Sequence, residues 1–163
     1  MTWKSHKAIA ACGALALKIP VVGVIVITIS SILPDVLEFS TGLKHRGILH
    51  WWGIPVGGLL GAYFLKQVNP LVAQTVSYIS IGWLLHILCD MLTMMGVPLW
   101  PNSKGYVALR LFRVGSAREY FFVLVICALL LYPYVSRFYN PHAMGEWLFG
   151  KKAVIMKIKR GGW

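Results

Sequence analysis

Acidic residues are scarce in this chain: five Asp and Glu among 163 residues, against 16 Lys and Arg. Charged residues of both signs reach only 13%, well short of the roughly 25% usual in soluble domains. That shortage excludes an ordinary solvated surface. Cysteine is also sparse. Cys12, Cys89 and Cys127 each stand inside apolar segments and form no CxxC pair, which excludes a disulfide framework and implies buried free thiols. A typical signal peptide is missing too: the polar start with His6 leads into a run broken by Lys18, without a clear small-residue cleavage site.

Apolar sequence is what the chain has in quantity. Hydrophobic residues make up 58% and the mean hydropathy is +0.68, with several long runs free of charge. This composition is that of an integral membrane protein. One membrane-embedded helical unit over residues 1–140 fits the length, followed by a basic tail over 141–163 that carries Lys151, Lys152, Lys157, Lys159 and Arg160. The net charge of +11 would fit nucleic acid, but the basic residues are scattered between hydrophobic runs. They read instead as interfacial anchors, with membrane lipid and its anionic headgroups as partners, and with a homo-oligomer or larger membrane assembly left open.

The runs predict an all-α polytopic protein of about five helices: two short hairpins and one spanning helix. Residues 7–33 as one helix would be roughly 40 Å long at about 1.5 Å per residue, longer than the ~30 Å hydrocarbon core. It would also set His6 and Asp35 on opposite membrane faces. Two helices turning near Lys18-Ile19-Pro20 and stopping at Pro34 return both residues to one side. A second hairpin follows. Residues 51–66 are apolar and Gly-rich, suited to close packing, Asn69-Pro70 makes the turn, and residues 71–93 run back. Residues 119–139 form the clearest spanning segment, with Glu119 at its start on the same side. The 16 Lys and Arg divide evenly between the two faces on these boundaries, so the positive-inside rule gives no orientation.

Four of the five histidines and three of the five acids fall at the ends of these apolar stretches: His6, Asp35, Glu38, His45, His50, His86 and Asp90. Ionisable groups beside lipid are costly and mark function, and His with Asp suits zinc and related divalent ions. His86-Ile-Leu-Cys-Asp90 is the most specific signal, because i and i+4 share one helical face. A structural hydrogen bond is the competing reading of that pair. Arg46 has the planar fork of a phosphate clamp, although Lys44, His45 and Arg46 together also read as a headgroup contact. Trp51, Trp52, Trp83 and Trp100 read as interfacial belt residues.

Taken together, these motifs resemble the YdjM-type, LexA-regulated inner-membrane metal-dependent hydrolases. That family's pattern has an N-terminal His, LPD with further acids, HRGxTHS, and HxxxDxxTxxG followed by WP. Here the matching residues are His6, Leu33-Pro34-Asp35, His45-Arg46-Gly47-Ile48-Leu49-His50, and His86 to Asp90 with Thr93, Gly96, Trp100 and Pro101. The likeness covers roughly residues 6–120. It departs where PDxDH becomes Pro34-Asp35-Val36-Leu37-Glu38, so one acid is Leu37 and Glu38 is left to supply the carboxylate, and where Leu49 and Trp51 replace the Thr and Ser of HRGxTHS.

The resemblance implies a bacterial inner-membrane location and a divalent ion, zinc first among the options. It implies His6, Asp35, His45, His50, His86 and Asp90 as metal ligands, Arg46 and Glu38 in catalysis, and metal-dependent hydrolysis, to which the membrane position adds a lipid or lipid-linked phosphoester as substrate. The competing function is a small non-catalytic membrane subunit with a structural or metal-binding polar cluster. The order of residues is also similar to zinc-dependent phospholipase C and P1-type nucleases. Their later HxxxE matches His142-Ala-Met-Gly-Glu146 in spelling, but the topology sets that pair across the membrane from the others.

Overall fold

The computed structural model describes residues 1–101, 103 and 105–138. The tail over 141–163, with His142 and Glu146, lies outside the described residues. The fold is all-α apart from one small β pair. Its helices are α1 (Trp3–Ala16), α2 (Val21–Ser30), α3 (Leu33–Thr41), α4 (Gly53–Leu65), α5 (Pro70–Met91) and α6 (Ala117–Phe138). A single 3-10 turn, Ile48–His50, links α3 to α4, and β1 (Val97–Pro98) pairs antiparallel with β2 (Tyr106–Val107).

Local sequence accounts for most boundaries. Thr2 caps α1 and Asn69 caps α5 by accepting from Val72 N at 3.1 Å, with Pro70 in the first turn. Lys18 adopts a left-handed backbone (φ 56°) between α1 and α2, which turns the chain back as the expected hairpin. The helix count rises to six at Pro34. It does not simply end the preceding run: it sits in the first turn of α3, where a missing N–H costs nothing. Helices α2 and α3 are bent by 42° at that break, and Gly42 closes α3 in the left-handed conformation.

Helices α5 and α6 are each long and apolar enough to cross a membrane, and α2 with α3 makes a third span only if the bent pair runs through as one. Small residues let the helices meet closely. A Cβ added at Gly82 of α5 would stand 2.4 Å from the carbonyl oxygen of Ile27 on α2, and one at Gly58 of α4 only 2.2 Å from Ser80 Oγ on α5. These contacts fix α5 against both neighbours. Behind them, Ala10, Ala14 and Ile27 form one apolar cluster and Trp83, Ile87 and Val97 another. Trp83 is therefore not a belt residue. It faces the packed side one turn before His86, is buried, and donates from Nε1 to Leu49 O at 2.8 Å.

Candidate metal centre

The polar residues converge where α1 and α3 begin, α5 ends, and the α3–α4 loop crosses between them. On α3, Asp35 and Glu38 are one turn apart and so share a face. Glu38 is buried and accepts four bonds: from His45 Nδ1 (2.9 Å), Arg46 N (2.9 Å), Gly47 N (3.2 Å) and His50 Nδ1 (2.8 Å). This carboxylate therefore folds the loop around itself. Glu38 was expected as a catalytic group, and both its oxygens are engaged by the loop. It can nonetheless be the acid that the departure at Leu37 called for. Leu37 itself packs with the Trp83–Ile87–Val97 cluster.

Because Nδ1 of His50 donates to Glu38, its Nε2 points inward. His86 is oriented in the same way, with Nδ1 donating to Ser31 O at 2.7 Å. Both rings are fully buried, and their Nε2 atoms face each other at 3.0 Å. Two neutral imidazoles so arranged present bare lone pairs to one another, which repels unless a cation lies between them. Burial on its own would push the His50 pKa down, but the Asp35, Glu38 and Asp90 carboxylates around it hold it above its ordinary value. A proton is the smallest cation that relieves the repulsion, and a metal ion would compete with it.

Two carboxylates complete the cluster. Asp35 accepts Trp3 Nε1 on Oδ2 (3.0 Å), and its Oδ1 lies 3.4 Å from His50 Nε2 and 3.6 Å from His86 Nε2. Asp90 Oδ2 lies 3.6 Å from His50 Nε2 and 3.9 Å from His86 Nε2. Four donors about 2.0–2.2 Å from a tetrahedral ion would stand roughly 3.3–3.6 Å apart, so these separations bracket that edge length. His6 is buried, stacks on His86 with ring centroids 4.0 Å apart, and has Nε2 at 3.4 Å from Asp90 Oδ1. Both nitrogens of His6 and Oδ1 of Asp35 are buried with no hydrogen-bond partner. Orphaned buried polar atoms of this kind are rare, and here they edge the same cluster.

Donor atoms of His6, Asp35 and His86 lie within 4.8 Å of one another, as do those of His50, His86 and Asp90. His86 is common to both sets, and with its Nδ1 held by Ser31 O it has one nitrogen, Nε2, to offer to either. The set of Asp35, Glu38 and His45 differs in kind. His45 is 59% exposed and its Nδ1 is taken by Glu38, so it sits at the rim rather than among the inner donors.

Arg46 is also buried, in a left-handed backbone conformation (φ 58°). Its NH2 pairs with Asp90 Oδ2 at 3.1 Å, while NH1 donates to Thr93 Oγ1 at 3.3 Å and Gly96 O at 2.5 Å. This corrects the expectation of an open fork. Both terminal nitrogens already hold protein, and Nε is buried without a partner. The Met1 main-chain nitrogen also reaches Asp90 Oδ1.

Glu119 belongs to this region, although the sequence pattern marked only its side of the membrane. It is fully buried at the start of α6, accepting Thr2 N (2.7 Å), Thr2 Oγ1 (2.9 Å), Ser5 Oγ (2.6 Å) and Gly115 N (2.7 Å). These bonds clamp the start of α1 beside α6 and so set the position of His6. A buried acid at the mouth of a spanning helix was the available signal.

Residues 1–156 of the chain match the family described as YdjM inner membrane protein. The chain belongs to that family. The match covers every residue of the cluster and makes the protein an integral inner-membrane protein, in keeping with its long apolar helices. Neither curated proteins nor solved structures gave a match, so the wider likeness to phospholipase C and P1-type nucleases gains nothing from these comparisons.

Proposed function

We propose that this YdjM family member is a membrane-embedded, metal-dependent hydrolase acting on a lipid or lipid-linked phosphoester. The observation that carries the reading is the pair of inward Nε2 atoms of His50 and His86 at 3.0 Å, flanked by Asp35 Oδ1 and Asp90 Oδ2. His50, His86, Asp35 and Asp90 would hold the ion, with His6 as the further donor where a second ion binds. When bound, a divalent ion such as zinc supplies Lewis acidity, acidifying water and drawing charge from a phosphoryl oxygen.

The chain's own residues supply the rest. Glu38 and the Ser31 carbonyl hold the two imidazoles in the tautomer that offers Nε2. Arg46 fixes Asp90 and balances its charge, and its unpartnered Nε–H is a donor for a phosphoryl oxygen. Surrounding apolar helices exclude bulk water, which strengthens each of these interactions.

A non-catalytic membrane subunit is the second reading. The full burial of His50 and His86 favours it, since access to their Nε2 atoms requires movement of the covering residues. The deciding experiment measures metal content in protein purified in detergent without chelator, then turnover of phosphoesters presented in bilayers or mixed micelles. Metal with turnover supports the hydrolase, metal without turnover supports the subunit, and neither leaves both metal readings unsupported. Arg46→Lys should lower turnover more than metal content, because no proposed ligand changes while the Nε–H offered to a phosphoryl oxygen is lost. Parent-level activity in that variant would remove Arg46 from the mechanism.

A further inference from the structure

The segment after β2 is tied to the end of α5 by three backbone bonds: Leu109 N to Met91 O (2.7 Å), Leu111 N to Leu92 O (2.9 Å) and Met94 N to Phe112 O (3.1 Å). A cavity of about 470 Å³ opens beside this seam, lined by Met94, Phe112 and Ser116 together with Arg110, Arg113 and Arg118. All three arginines are exposed, and among the described residues none meets a carboxylate. The acids nearby are already engaged. Asp90 pairs with Arg46 inside the metal centre, and Glu119, next to Arg118 in sequence, turns inward to Thr2, Ser5 and Gly115. Three guanidinium groups around one cavity repel each other until an anion enters.

The flanking residues indicate what kind of anion. Leu109, Leu111, Val114 and Phe121 alternate with these arginines along the chain and are exposed. In an integral membrane protein such residues lie against lipid, which places the guanidinium groups at headgroup depth. A planar fork engages phosphate oxygens in pairs.

We propose that the Arg110–Arg113–Arg118 cavity binds the headgroup phosphate of an anionic phospholipid. The site is separate from the metal centre and does not depend on hydrolysis. Its position against the end of α5 puts the bound lipid beside the segment that carries Asp90 and Thr93.

The test uses the full chain reconstituted in phosphatidylcholine vesicles with a trace of spin-labelled phosphatidylglycerol or spin-labelled phosphatidylcholine. The protein-immobilised fraction of each label is the readout. The parent should select phosphatidylglycerol, and R110Q/R113Q/R118Q should lose that selectivity by at least about fivefold. K7Q/K18Q/K66Q, with the same charge loss elsewhere, should keep it. Single Arg→Gln variants should each lose part of it, and they decide the matter if the triple variant does not fold. Unchanged selectivity in the arginine variants overturns the proposal. Equal loss in the lysine control also overturns it, by reducing the effect to net charge. Millimolar inorganic phosphate should leave the label immobilised; displacement by it would make free phosphate the occupant and overturn the lipid assignment.

Discussion

The two halves of α5 use similar apolar sequence for different ends. In the first half the side-chain hydrogen bonds are local, Thr75 Oγ1 to Leu71 O at 2.9 Å and Ser77 Oγ to Ala73 O at 2.9 Å, and Leu71 and Val72 are exposed. Such bonds satisfy hydroxyls in lipid without recruiting another helix. In the second half, partners come from far along the chain. His86 meets Ser31 and His50, and Asp90 meets Arg46 and His6. The first half answers to the bilayer and the second to the site. The difference is one of partners: polar side chains of the first half are satisfied within α5, and those of the second by segments far along the chain.

The largest effect expected from breaking that contrast is at the site end. His86→Ala or Asp90→Ala should drop bound metal to background in elemental analysis of purified protein, since each removes a donor from the inner set. Full metal occupancy in both variants would end the metal reading. Next comes Glu38→Gln, which keeps the shape but loses the charge that holds His45, His50 and the loop N–H groups. Metal affinity should fall by about 10–100-fold in competition with a chelator, while the helical circular dichroism stays. An unchanged affinity would mean that His50 needs no anchor.

Gly82→Ala probes the packing that joins the halves. Its Cβ would clash with the Ile27 carbonyl, and thermal unfolding should report a loss of about 1–3 kcal/mol. A neutral result would show that α2 and α5 can separate at no cost. Smallest of all is Thr75→Val in the first half, expected within about 0.5 kcal/mol of the parent with metal intact. A metal deficit there would erase the distinction between the two halves.

Much of this arrangement was legible in the chain. Apolar run lengths and the Lys18 and Asn69-Pro70 breaks gave the helical membrane class and both hairpins, because spanning length and backbone satisfaction in lipid leave few options. The residues that meet at the cluster stood out because ionisable groups are so costly in such surroundings. Less legible was anything that depends on how a side chain turns. Pro34 reads equally well as the end of one helix or the first turn of the next, and the neighbouring packing selected the second. Trp83 has the composition of a belt residue, yet its side of α5 faces Leu49 and the core.

The sequence by itself determined that this protein is a helical membrane protein with imidazoles and carboxylates gathered at one end of its helices, since hydropathy and the spacing of breaks are properties of the chain alone. Only the tertiary structure decided their separate parts. Glu38 became the hydrogen-bond anchor of the α3–α4 loop, the terminal nitrogens of Arg46 were engaged by Asp90, Thr93 and Gly96, and Glu119 was turned inward so that its neighbouring arginines stayed uncompensated. The reason is that a hydrogen bond depends on distance and direction to a partner dozens of residues away, and that geometry exists only once the helices have packed.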